Sequence, residues 1–263
     1  MGYRPSGTVG NQRDARAMIL VVNSLPKCAS TWTFHVVDAC LRDLGHSSVF
    51  DVAPWTNRWG NPGPLEGDNL RRLLSIDRTY GIKAHVPNTP ELSAVHEDGR
   101  MRTVFLVRHP LDVVSATLDY GARKRQIGER DNPYYDIHTV EQALGFCSGF
   151  WSFRDTWLDH ALMVRYEDLV ADYEAALGRI FRHFSLPDPW PRVQAAIARS
   201  VDAFSPERLM SGTAPRGADH IRLNLLTRGA GAASATPTAS TRRATNWATS
   251  SAPGDTRTDT AGA

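Results

Sequence analysis

A chain of 263 residues with 41% hydrophobic content is long enough for one sizeable core, since a domain usually takes roughly 100–200 residues. Its 30 basic and 28 acidic residues leave a formal charge of +2, which speaks against a surface devoted to nucleic acid or anionic lipid and for a small-molecule partner. The cysteines Cys28, Cys40 and Cys147 form neither an even framework nor a CxxC pair, and the nine histidines never fall into an HxxxH or HExxH spacing, so a reducing, cytoplasmic setting without a metal centre is expected.

Residues 1–17 carry Arg and Gly but no apolar signal region, and the apolar run at 18–22 is far too short to span a bilayer; they read as a flexible leader of a non-membrane protein. From residue 18 onward, short apolar runs alternate with helical patterns. MILVV (18–22) reads as a buried strand, followed by the loop NSLPKCASTWTF (23–34) and a helix with Val37, Cys40, Leu41 and Leu44 on one face and Gly45 at its stop. SVFDV (48–52) reads as a second strand. Residues 53–68 hold three prolines, three glycines, Trp55 and Trp59, a long irregular loop of the kind that often carries function. GIKAH (81–85), TVFLV (103–107) and ALMVRY (161–166) are further strands, and 110–125, 139–158, 173–184 and 190–203 are helical, with Pro110 suited to the first helical position.

This alternation predicts an α/β domain over 18–210, a three-layer fold with a mostly parallel central sheet and helices on both faces. Beyond it, 26 of the 35 residues 229–263 are Gly, Ala, Ser or Thr, and none is Leu, Ile, Val, Met or Phe. Such a segment buries too little apolar surface to offset its ordering entropy, so 211–263 reads as an atypical, disordered tail.

Three polar residues end up on one edge of the predicted sheet. Lys27 follows the first strand, His85 ends GIKAH, and Arg108 ends TVFLVR; ligands of open parallel sheets bind outside the carboxyl ends of the strands. The loop around Lys27 opens a helix, where backbone N–H groups and the positive end of the helix dipole favour an anion. It lacks the G-x-x-x-x-G-K-[ST] pattern of the ATP-hydrolysing loop, because Lys27 is followed by Cys28 and the stretch holds no glycine. A C-x5-R phosphatase pattern fails as well, since the sixth residue after Cys28 is Phe34.

At this point the residues resemble the sulfotransferases that use 3′-phosphoadenosine 5′-phosphosulfate (PAPS), a family with a fold like that of the P-loop nucleotide hydrolases. PKCASTW (26–32) resembles their 5′-phosphosulfate loop, KAHVP (83–87) their catalytic-histidine segment, VRHPLDVVSA (107–116) their 3′-phosphate segment, and VRYEDL (164–169) a further recurrent motif. The resemblance implies PAPS as sulfuryl donor, a hydroxyl or amine of a small molecule as acceptor, and no metal. It implies Lys27 at the leaving oxygen and His85 as general base. Lys27, Cys28, Ala29, Ser30, Thr31, Trp32, Arg108 and Ser115 would then bind the cofactor. The family's serine eight residues after the arginine is Ala116 here, with the hydroxyl one place earlier at Ser115, about 100° around a helix. The segment after residue 210 shows no equivalent of the Arg-Lys-Gly and G-x-W stretch that closes over the 3′-phosphate in the family. A nucleotide-binding protein without turnover therefore stands as the alternative to the enzyme.

Trp55, Trp59, Tyr134, Tyr135, Phe146, Phe150 and Trp151 are candidates to line an acceptor pocket, although Phe146, Phe150, Phe153 and Trp157 recur at helical spacing and read better as core. GARKRQIGER (121–130) reads as a solvated basic face or rim. Glu167 and Asp168 read as structural carboxylates.

Overall fold

The computed structural model describes residues 17–57 and 59–211; most of the leader and the tail from 212 onward lie outside these residues. Four strands, β1 (Ile19–Ser24), β2 (Tyr80–Ala84), β3 (Met101–Val107) and β4 (Ala161–Arg165), form one sheet in the order β2-β1-β3-β4. Every pairing is parallel: Val21 lies beside Ile82 and Thr103, and Phe105 beside Met163. β1 is buried along its whole length, which is why its sequence is a continuous apolar run rather than an alternation.

The helices are α1 (Ser30–Asp43), α2 (Val49–Val52), α3 (Gly67–Leu74), α4 (Pro90–Glu97), α5 (Pro110–Gln126), α6 (Val140–Thr156), α7 (Tyr166–Ala171), α8 (Tyr173–Phe184), α9 (Trp190–Ala203) and α10 (Pro206–Ser211). The chain leaves β1 for β2 on one side and then crosses back to β3 on the other. With right-handed crossovers, α1 and α4 fall on opposite faces. The reversal sits between β1 and β3, so the crevice of the fold opens where Lys27 and Arg108 emerge.

The stop of α1 follows the sequence reading. Gly45 takes φ 92, its N–H donates to the Arg42 carbonyl at 3.0 Å, and the His46 N–H donates to that of Leu41 at 2.9 Å, the paired bonds of a Schellman end. SVFDV is not a strand. Ser48 caps α2 instead, its Oγ accepting from the Phe50 N–H at 3.3 Å, with Asp51 in the first turn; only Ser47 bridges to β2, beside Tyr80. α4, absent from the sequence reading, carries ordinary start signals: the Thr89 side chain accepts from the Leu92 N–H, and Pro90 occupies the first turn.

Candidate active site

The loop between β1 and α1 turns sharply without glycine. Lys27 and Ala29 both adopt left-handed backbone conformations, φ 62 and φ 66, a region that costs a residue bearing a β-carbon about 1–2 kcal/mol. Ala29 is the N-cap of α1, and its side chain offers no capping bond. Relief of this strain exceeds the extra chain entropy of glycine only slightly, so Ala29→Gly is expected to raise stability by roughly 0.5 kcal/mol and Ala29→Val to lower it by more than about 1 kcal/mol. Urea unfolding midpoints in the order Gly, Ala, Val check this; a glycine variant below wild type contradicts it.

Strain of this kind persists where surrounding structure holds it, and Arg108 supplies part of that hold. Its Nη1 donates to the Lys27 carbonyl at 3.2 Å, while the guanidinium lies over the Tyr166 ring at 4.2 Å. Its Nε is buried with no hydrogen-bond partner among the described residues. α1 has no acidic residue in its first turn, and the first N–H groups of any helix lack internal acceptors, so charge and donors at this point both suit an anion. Ser30 is buried there, while Thr31 is half-buried.

His85, one residue past β2, reaches the same loop. Its Nδ1 lies 2.8 Å from the Ser24 carbonyl and 3.2 Å from the Ser24 Oγ. A carbonyl only accepts, so Nδ1 carries the hydrogen and the lone pair is left on Nε2. Burial, reinforced by the Lys83 and Lys27 charges, pushes the imidazole pKa down to about 3. The ring is therefore neutral throughout the physiological range, well away from the ordinary histidine value that the sequence alone suggests.

Lys83 was missed by the sequence reading. It stands two positions before His85, hence on the same side of the strand, and only 7% of it is exposed. Burial lowers its pKa to about 8. Its backbone N–H donates to the Gly60 carbonyl at 2.8 Å, which ties the 53–68 loop to the open edge of β2. Gly60 sits at φ 73, and a β-carbon there would overlap the Phe34 ring. The sequence signal was a lone lysine inside an otherwise apolar strand, which by itself does not show how far the side chain is buried.

The structure thus brings Lys27, His85 and Arg108 to one loop and adds Lys83. The Lys27 ammonium lies over the Tyr120 ring, 2.9 Å from its centroid, and 4.1 Å from that of Tyr134. Burial and the neighbouring Arg123, Lys83 and Lys124 charges hold its pKa well below the usual lysine value. Cys28 is fully buried, its thiol donating to the Pro26 carbonyl at 3.5 Å, and burial pushes its pKa up, so it offers the loop a shape and an amide rather than a thiolate.

The other named residues separate from this group. Trp32 packs against Tyr173, with centroids 5.0 Å apart, and its Nε1 donates to the Phe204 carbonyl at 3.3 Å. Ser115 is exposed on α5. Trp55 stacks with Arg72 and donates to Asn69, so its ring is engaged by α3. Phe146, Phe150 and Phe153 form a row of ring contacts along α6, joined at one end to Tyr134. Glu167 accepts from the His109 N–H at 3.4 Å, joining α7 to the start of α5, and Asp168 pairs with Arg179 at 3.1 Å.

Among the described residues, no helix is long and apolar enough to cross a membrane. No curated protein matches the chain. Among solved structures, mouse sulfotransferase SULT7A1 complexed with PAP aligns with a TM-score of 0.51 at 18% identity, covering 75% of this chain and 69% of that one; at such identity the likeness is one of fold. Retinol dehydratase in complex with androsterone and inactive cofactor PAP aligns with a TM-score of 0.47 at 13% identity, over 79% of this chain and 70% of that one. The sulfotransferase family model matches residues 35–192, a span that begins just after the strained loop and takes in Lys83, His85 and Arg108. That match covers more than half of the sequence, and the chain belongs to the sulfotransferase family.

Proposed function

We propose that the chain transfers a sulfuryl group from PAPS to a hydroxyl or amine of a small-molecule acceptor by in-line displacement. The observation that supports this reading is that the His85 imidazole and the Arg108 guanidinium, from two strand ends, bond to the Ser24 and Lys27 carbonyls of the segment that carries the Lys27 ammonium. The residues suit an anionic nucleotide: the buried Arg108 Nε lacks a partner among the described residues, the α1 N-terminus is free of acid, and the Arg123 and Lys83 charges add to burial in lowering the Lys27 pKa.

When bound, PAPS supplies the activated sulfuryl group and a leaving phosphate. The amides of Cys28, Ala29, Ser30 and Thr31, with the two hydroxyls, would hold the 5′ group, and Lys27 would stabilise charge on the leaving oxygen. Arg108 and the solvent-exposed Ser115 would bind the 3′-phosphate, and Trp32 would face the base. His85 Nε2 would take the acceptor's proton. Transfer of labelled sulfate from PAPS to phenols, sugars and amines tests this, beside calorimetric binding of 3′,5′-diphosphoadenosine. Binding without turnover on any acceptor class would leave a nucleotide-binding protein; no binding would remove the site.

Lys83 adds a pH signature. A lysine with its pKa lowered to about 8 is protonated below that pH and neutral above it, and an arriving anion favours the charged form. Nucleotide affinity is therefore expected to fall as pH rises through 8, with net proton uptake on binding at that pH. Calorimetry in two buffers of different ionisation enthalpy measures the uptake, and Lys83→Met should reduce it. An uptake unchanged in Lys83→Met would assign the proton elsewhere.

A further inference from the structure

The basic stretch 121–130 is more than a solvated rim. Gly121 lets α5 approach the following loop so closely that a β-carbon would lie 2.6 Å from the Tyr134 carbonyl oxygen and 2.7 Å from that of Ile137. Arg125 Nη1 clamps the same loop, donating to the carbonyls of Tyr135 at 2.8 Å and Ile137 at 2.7 Å. The outcome is a fixed pair of rings, Tyr120 and Tyr134, edge to face with centroids 4.9 Å apart, and the Lys27 ammonium lies over both. A second ammonium, that of Lys124, stands 4.9 Å from the Tyr120 centroid but is paired with Glu129 at 2.5 Å.

We propose that Tyr120, braced by Tyr134, is the positioning residue that holds the Lys27 ammonium at the transfer site. The proposal rests on the sulfotransferase reading for its consequence, not for its geometry. A lysine side chain loses rotamer freedom when fixed, and here it is also repelled by Arg123, Lys83 and Lys124. Attraction of a desolvated cation to a ring face is strong enough to oppose both effects. Without the ring, the ammonium swings toward water and is fixed only when the donor arrives.

The test uses the full chain, free of nucleotide, and follows Lys27 by competitive acetylation across pH with mass-spectrometric readout. In Tyr120→Ala the titration of Lys27 is expected to move up toward that of an exposed lysine, and turnover to fall by about tenfold or more. Tyr120→Phe keeps the ring face and should restore both. Gly121→Ala leaves both rings chemically intact but displaces the Tyr134 loop, so it should move both readouts in the same direction by less; it serves if Tyr120→Ala does not fold. A Lys27 titration identical in wild type, Tyr120→Ala and Gly121→Ala overturns the proposal, as does an equal loss of turnover in the Phe and Ala variants. A titration that follows the ring in a chain with no PAPS turnover keeps the seat and removes the sulfotransferase reading.

Discussion

His85→Ala is expected to lose sulfuryl transfer by about 100- to 10,000-fold in kcat, the usual worth of a positioned general base, while binding 3′,5′-diphosphoadenosine within about twofold of wild type. The expectation follows from what the imidazole touches. Nδ1 is committed to the Ser24 carbonyl at 2.8 Å, which fixes the tautomer and leaves Nε2 to accept a proton. The pKa near 3 keeps the ring in its base form, and because it is uncharged it adds nothing to the hold on an anion. A neutral imidazole of such low pKa is a weak base in the nucleotide-free protein; the negative charge of a bound donor would raise it toward a useful value. Transfer of labelled sulfate and calorimetry together decide the matter. Wild-type turnover in His85→Ala would remove the base assignment, and a collapse of nucleotide affinity would make the residue a structural strut of the Ser24 loop instead.

Much of the scaffold was readable because its signals are local. Buried parallel strands such as β1 and β3 appear as apolar runs, and α5 starts at Pro110 and α1 stops before Gly45 as their punctuation requires. SVFDV misled because V-F-D-V imitates a strand, whereas Ser48 before an acid in the first turn was the stronger cue. The order of Lys27, His85 and Arg108 at strand ends was enough to place them on one edge, since a parallel sheet leaves that edge no choice. Lys83 and Tyr120 were not readable in that way. Lys83 is almost fully buried in the fold, and a single lysine in a short strand does not announce that. Tyr120 matters only because Gly121 and Arg125 draw a second tyrosine beside it. The missing glycines of the loop were a puzzle of the same kind: Lys27 and Ala29 adopt the left-handed turn regardless, and the cost is borne through contacts such as the one from Arg108, 81 positions away.

Lys27→Met is expected to lower kcat by about 100- to 1,000-fold, the scale seen when one preorganised donor to developing charge is removed, and to weaken diphosphoadenosine binding by about tenfold. Methionine keeps the length and apolar stem of lysine, so the Tyr120 and Tyr134 rings retain a packing partner and the fold should survive; only the charge is lost. The depressed pKa of Lys27 sets the direction of a second effect. The group must be protonated to stabilise a leaving oxygen, so in wild type turnover should decline on the alkaline side at a pH below that of an ordinary lysine, and in Lys27→Met the residual rate should lose that limb. Lys27→Arg should not rescue, because a planar guanidinium lacks the compact ammonium that sits 2.9 Å over a ring centroid. Single-turnover transfer across pH separates these outcomes. A methionine variant that keeps both its rate and its alkaline limb would place the essential cation elsewhere, and Lys83, buried two positions before His85, would then be the residue to replace.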